Sequence, residues 1–160
     1  MAADGARSLL ASDLAAVPAA VPEALRVGRR VLTTGHENPD ADAVGSALAI
    51  ALALEALGAR VGTVFADPVP SMYDFMPGIE RARQALDPDL DPDLIVVCDG
   101  DLARTGSVVR DNAELFGRVP IVNIDHHVSN GGSGGTDWID AEAAATCEQV
   151  ALLLPHLGLG

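Results

Sequence analysis

Residues 30–58, RVLTTGHENPDADAVGSALAIALALEALG, decide the fold. The opening RVLTT is a short apolar run of strand length, and AVGSALAIALALEALG is a largely apolar helix stopped by Gly58. Between them, GHENPDADAVGS packs a histidine, two aspartates, a glutamate and an asparagine among small residues. A strand that passes into a helix through an acceptor-rich turn is the unit of a parallel α/β sheet, and ligands bind such sheets at the C-terminal ends of the strands.

Outward from this stretch the rhythm repeats. ARVGTVFAD (59–67) reads as a second strand, followed by a Pro- and Gly-rich turn region to Gly78 and a short helix IERARQAL (79–86). The repeated DPDLDPDL (87–94) reads as two successive turns. LIVVCD (94–99) is a third strand ending in an acid, and SVVRDNAELFG (107–117) a helix capped by Ser107. VPIVNIDHH (119–127) is a fourth strand, whose adjacent histidines should point to opposite sides of an extended chain. The loop SNGGSGGTD (129–137) leads to a short strand at Trp138 and Ile139 and a last helix EAAATCEQVALLL (142–154). Upstream, helical spacing runs from about Ser8 to Val17 and again after Pro22 through Val27. The fold class is α/β: a mostly parallel, Rossmann-like sheet with helices on both faces.

Composition narrows the function. The 160 residues suffice for one domain with a real core. Against 23 Asp and Glu stand 10 basic residues, all arginine, for a net charge of -13. Such a surface repels phosphate backbones and excludes long nucleic acid as a partner, and 3% aromatic residues are too few for a base-stacking platform. Cys98 and Cys147 form no Cys-x-x-Cys pair and read as reduced, buried thiols. Ser12, Asp13 and Pro18 interrupt the N-terminal apolar run, so a signal peptide is not expected, nor is a membrane span; a cytoplasmic location follows as the expectation.

His36, Asp40, Asp42, Asp99, Asp125, His126 and His127 all fall at or just past the ends of three predicted strands. Carboxylates gathered in one crevice repel one another unless a cation neutralises them. Mixed imidazole and carboxylate donors suit Mn2+ better than Ca2+, with Mg2+ the alternative, and the absence of thiolates argues against a structural zinc. Two such ions roughly 3.5 to 4 Å apart can clamp the attacking and leaving oxygens of an in-line displacement, which is machinery for phosphoester hydrolysis. The N-terminus of the helix after Asp42 favours phosphate, with Gly45 and Ser46 allowing close approach. The plainer reading of PDAD is a helix N-cap. GHENPD is no zinc-protease motif: Asp40 stands where a second histidine is needed and Pro39 breaks the required helix.

GHENPDADAVGS, VVCDGDLARTG and NIDHHVSN resemble, in order and spacing, the first three motifs of the DHH phosphoesterase superfamily. The DGDLARTG pattern is similar to the branch of nanoRNases and 3'-phosphoadenosine-5'-phosphate phosphatases. The resemblance implies a parallel sheet flanked by helices and hydrolysis of very short oligoribonucleotides or a nucleoside 3',5'-bisphosphate. It implies one metal held by His36, Asp40 and Asp99 and a second by Asp42, Asp99 and His126, with Asp99 bridging. His127 would face the phosphate and Asp125 support the site; Asn130, leading into the glycine loop, is a candidate phosphate contact, although a connector is the plainer reading of that loop. Manganese pyrophosphatase, cyclic-dinucleotide phosphodiesterase and a non-catalytic nucleotide- or metal-binding fragment are the competing functions.

The family's fourth motif, an aspartate after the last helix, has no counterpart before Gly160, and neither does a following substrate-binding domain. Residues 1–160 are therefore expected to be an N-terminal domain alone, with a weakened second metal site, at most one well-occupied ion and weak or no hydrolysis. Asp140 is the first candidate to stand in for the aspartate. An uncovered sheet edge would invite a homodimer.

Overall fold

The computed structural model describes residues 13–160, so the helix expected over Ser8 to Val17 lies largely outside the described residues. Five strands form one all-parallel sheet in the order β2-β1-β3-β4-β5: β1 (Arg30–Thr34), β2 (Arg60–Thr63), β3 (Leu94–Cys98), β4 (Ile121–Asp125) and β5 (Thr136–Ile139). Val31 pairs with Leu94, Ile95 with Ile121 and Val122 with Thr136, so the strand ends carrying the motifs line up along one edge.

The helices are α1 (Ala20–Val27), α2 (Ala41–Ala56), α3 (Ser107–Asp111), α4 (Ala113–Arg118) and α5 (Thr146–Leu153). Val21 and Leu25 of α1, Val44, Leu48 and Leu54 of α2, and Val150 and Leu153 of α5 pack over Val31, Val96 and Ile124 on one face of the sheet. Val108, Leu115 and Val119 cover Leu32, Ile95, Val97 and Ile121 on the other. Full burial of each such side chain contributes on the order of 1.5–3 kcal/mol. Helix α2 is apolar nearly all round because it is pressed between the sheet and α5, and Gly58, with φ 94, lets the chain turn away after it.

Several elements differ from the sequence reading. Residues 79–86 hold only a 3-10 turn at Ile79–Arg81; Ala82 is extended and Arg83 forms a parallel bridge with Val64, which gives its backbone a sheet partner instead of a helical one. The helix over 107–117 is two pieces broken at Asn112. Ser107 does not cap it; Gly106, at φ 64, occupies the cap position. A side chain is unwelcome there, since a Cβ would stand 2.9 Å from Glu37 Oε2. The strand of NIDHH ends at Asp125, so His126 and His127 lie beyond it and their rings sit 4.5 Å apart instead of diverging. Helix α5 starts only at Thr146, and Cys147 is half-buried, not buried like Cys98.

Candidate metal centre

Asp99 is the hub. It follows the last residue of β3, is buried, and adopts φ 60, a left-handed conformation that costs a non-glycine residue on the order of 1–3 kcal/mol. Its backbone N–H donates to Ile124 O, fixing it against β4. Two sets of side chains converge on its two oxygens.

The first set comes from the β1–α2 turn. His36 Nε2 lies 3.4 Å from Asp99 Oδ2 and 3.5 Å from Asp40 Oδ1. The turn is held from outside: Glu37 N–H donates to Arg104 O at 2.6 Å, and Asn38, at φ 49, donates its N–H to Asp67 Oδ2 at 2.7 Å. Asp40 is also the N-cap of α2, its Oδ1 accepting from Ala43 N–H, so one carboxylate both caps the helix and faces His36.

The second set comes from α2, the end of β4 and α5. His126 Nε2 lies 3.3 Å from both Asp42 Oδ2 and Asp99 Oδ1, and His127 Nδ1 lies 3.7 Å from Asp99 Oδ1. Asp42 takes one backbone donor on each oxygen, Cys147 N–H on Oδ1 and Thr146 N–H on Oδ2. These N–H groups open α5, which explains why the helix begins at Thr146: its unpaired first-turn donors are spent on the carboxylate. The Thr146 hydroxyl, fully buried, donates to Asp99 Oδ1 at 3.2 Å. Asp125, buried at the end of β4, accepts from the N–H groups of His126 and His127 and meets His127 Nδ1 at 2.6 Å.

The charges respond to this crowding. The hydrogen bond to Asp99 outweighs burial and raises His36 to about 9. Burial pushes Asp99 above the usual carboxylate range, reinforced by the charges of Asp42 and Asp40 and opposed by His36. Burial works against ionised Asp42 as well, yet the Cys147 and Thr146 N–H donors prevail and hold it below that range. Burial lifts the Cys147 thiol to about 12 and Cys98 further still, so neither offers a thiolate.

Donor atoms of His36, Asp40 and Asp99 lie within 4.8 Å of one another, as do those of Asp99, Asp125, His126 and His127. Three protein donors at that spacing, of imidazole and carboxylate type, fit a divalent cation. Asp42 stands outside that second group, but its Oδ2 lies 3.3 Å from His126 Nε2 and carries a single backbone donor, whereas Asp125 Oδ1 already serves three.

Three expected phosphate contacts have other partners in the structure. The Ser46 hydroxyl is fully buried and donates to Asp42 O at 2.6 Å, an ordinary back-bond within the helix. Gly45 faces α5, where a Cβ would stand 3.1 Å from Cys147 Sγ, so its smallness serves helix packing. Asn130 spends its amide on Asn123 Oδ1 and Asp125 Oδ2 and its oxygen on Gly132 N–H. Asp140 caps its own turn through Glu142 N–H and joins neither donor group. Sequence reasoning passed over Thr146, Asp67 and Asn123; of these only Thr146, a hydroxyl residue at the head of an apolar run, carried a recognisable signal, that of a helix start.

A profile described as the DHH family, N-terminal domain, matches residues 30–157. The chain is 36% identical over 124 residues to the bifunctional oligoribonuclease and PAP phosphatase NrnA of Thermus thermophilus, covering 78% of this chain and 36% of that protein. Its fold is similar to that of an exopolyphosphatase-related protein from Bacteroides fragilis, with a TM-score of 0.75, 22% identity, and coverage of 85% of this chain and 42% of the other. The chain thus spans less than half the length of either.

Proposed function

This chain belongs to the DHH family, and from that premise we propose that it is the metal-binding domain of a phosphoesterase that hydrolyses very short oligoribonucleotides or a nucleoside 3',5'-bisphosphate. The observation that carries the reading is the convergence of His36 and Asp40 from one side, and Asp42 and His126 from the other, on the single buried carboxylate of Asp99. His36, Asp40 and Asp99 would hold one divalent ion and Asp42, Asp99 and His126 the other, with Mn2+ the preferred ion. Such ions, when bound, lower the pKa of an attacking water and neutralise charge developing at phosphorus.

The chain's own groups supply the rest. His127 directs Nδ1 to Asp125, which orients the ring and leaves Nε2 as the ring nitrogen that would face a substrate. Its side chain is 38% exposed, open enough to meet a substrate. Thr146 and the head of α5 hold Asp42 and Asp99 in register. The likeness to the oligoribonuclease and PAP phosphatase supports the substrate class, and the acidic surface supports short substrates over long ones. No helix among the described residues is long and apolar enough to cross a membrane.

The test is hydrolysis of a two-nucleotide RNA, a nucleoside 3',5'-bisphosphate and pyrophosphate in the presence of Mn2+. Cleavage of either of the first two supports the proposal, and cleavage of pyrophosphate alone overturns it.

A further inference from the structure

Asn123 sits in the middle of β4 on the face that carries Ile121 and Val97, where an apolar residue would serve the core equally well, and it is completely buried. Its Nδ2 donates to Val97 O at 3.1 Å and to Gly100 O at 2.8 Å, two carbonyls on either side of Asp99. The pair of carbonyl acceptors fixes which end of the amide faces them. Its Oδ1 accepts from Asn130 Nδ2 at 2.9 Å, and the same Nδ2 donates to Asp125 Oδ2 at 2.8 Å. Asp125 then gathers the backbone and ring of the histidine pair. An unbroken line of hydrogen bonds therefore joins the left-handed turn at Asp99 to the arm bearing His126 and His127.

We propose that Asn123 and Asn130 are positioning residues, forming a strut that fixes the Asp99 turn relative to the Asp125–His127 arm before any ligand arrives. The proposal rests on the reading of this cluster as a divalent-metal centre, and it deepens that reading by assigning the spacing of its two ligand-bearing segments to side chains that touch neither ion nor substrate. The chemistry requires an amide at both places: each must donate and accept at once, which neither a carboxylate nor a hydrocarbon can do.

Two readouts test it, one independent of metal. Amide hydrogen exchange in the metal-free chain should accelerate about tenfold at His126 and His127 in Asn130→Ala, the consequence of freeing the carboxylate that binds those N–H groups. The amides of β1 and β3 should be unchanged. Asn123→Asp should add Asp99 to the accelerated set; if that variant fails to fold, Asn130→Ala, on a half-buried loop position, decides alone. Mn2+ affinity measured by calorimetry should fall about 10- to 100-fold in either variant. Unchanged exchange at His126 and His127, or a uniform acceleration across the sheet, overturns the strut. A wild-type chain that takes up no Mn2+ would overturn the metal reading instead, leaving the exchange data to decide the strut.

Discussion

The two ligand arms on either side of Asp99 are built differently. On the side of His36 and Asp40, the turn is held by backbone contacts to Arg104 and Asp67, and Asp40 is 60% exposed with one oxygen unengaged among the described residues. On the side of Asp42, His126 and His127, nearly every polar atom has an internal partner: the head of α5 holds Asp42, and Asn130 and two N–H groups hold Asp125. The second arm is preorganised by the protein, whereas the first keeps free lone pairs for a cation. Geometry and ligand strength are thus divided between the two.

Removing the element both arms share should have the largest effect. Asp99→Asn leaves one neutral oxygen facing two sites that each need anionic charge, and Mn2+ binding and hydrolysis should both be abolished; calorimetry that returns the wild-type stoichiometry would contradict the bridge. Next in size is Thr146→Val, which keeps the Thr146 N–H bond to Asp42 but deletes the hydroxyl donor to Asp99. Affinity should drop about 10- to 100-fold with the fold intact by circular dichroism.

The difference between the arms should also appear as order of filling. One well-occupied Mn2+ site is expected in a titration, lost in Asp40→Ala, with any second event much weaker and lost in His126→Ala. Reversal of those assignments would show that preorganisation outweighs free lone pairs.

A smaller effect is set by pH. His36, raised from 6.5 to about 9 in the metal-free chain, holds a proton at neutral pH that a cation must displace. Mn2+ uptake should therefore release protons, and affinity should strengthen as pH rises from 7 to about 9. The raised value also means that the stability His36 lends the metal-free fold is complete below 6.5 and lost as pH rises through about 9. Melting temperatures that fall across that interval in the wild type, but not in His36→Gln, check the sign. Smallest of all is Asp101→Ala. Asp101 caps the 3-10 turn Leu102–Thr105, so its loss should cost roughly 1 kcal/mol of stability and leave Mn2+ affinity within a few-fold.

The strands and α2 were legible because each is a short apolar run closed by Gly, Pro or an acid, and parallel pairing buries both faces. Metal-ligand candidates were legible because chemistry-bearing residues stood at strand ends. What the sequence hid was mostly orientation. Nothing in DHH states that β4 ends at Asp125, which turns both histidines toward Asp99 instead of splitting them across the strand. The start of α5 was misplaced because Ala-rich 143–145 favours helix, while the carboxylate of Asp42, more than a hundred residues earlier, captures the N–H groups of Thr146 and Cys147. Ser46 lies near the N-terminus of α2, where a phosphate could approach, but its side chain faces inward. Each miss concerns a partner distant in sequence.

The central claim, that both arms meet on Asp99 to hold divalent cations, is tested most directly by anomalous diffraction at the manganese edge from crystals of the chain soaked in Mn2+. An anomalous peak is expected beside the Asp99 carboxylate, within coordination distance of His36 Nε2 and Asp40, with any second peak on the side of Asp42 and His126. Manganese bound only at sites away from Asp99, or none bound at all, would contradict it.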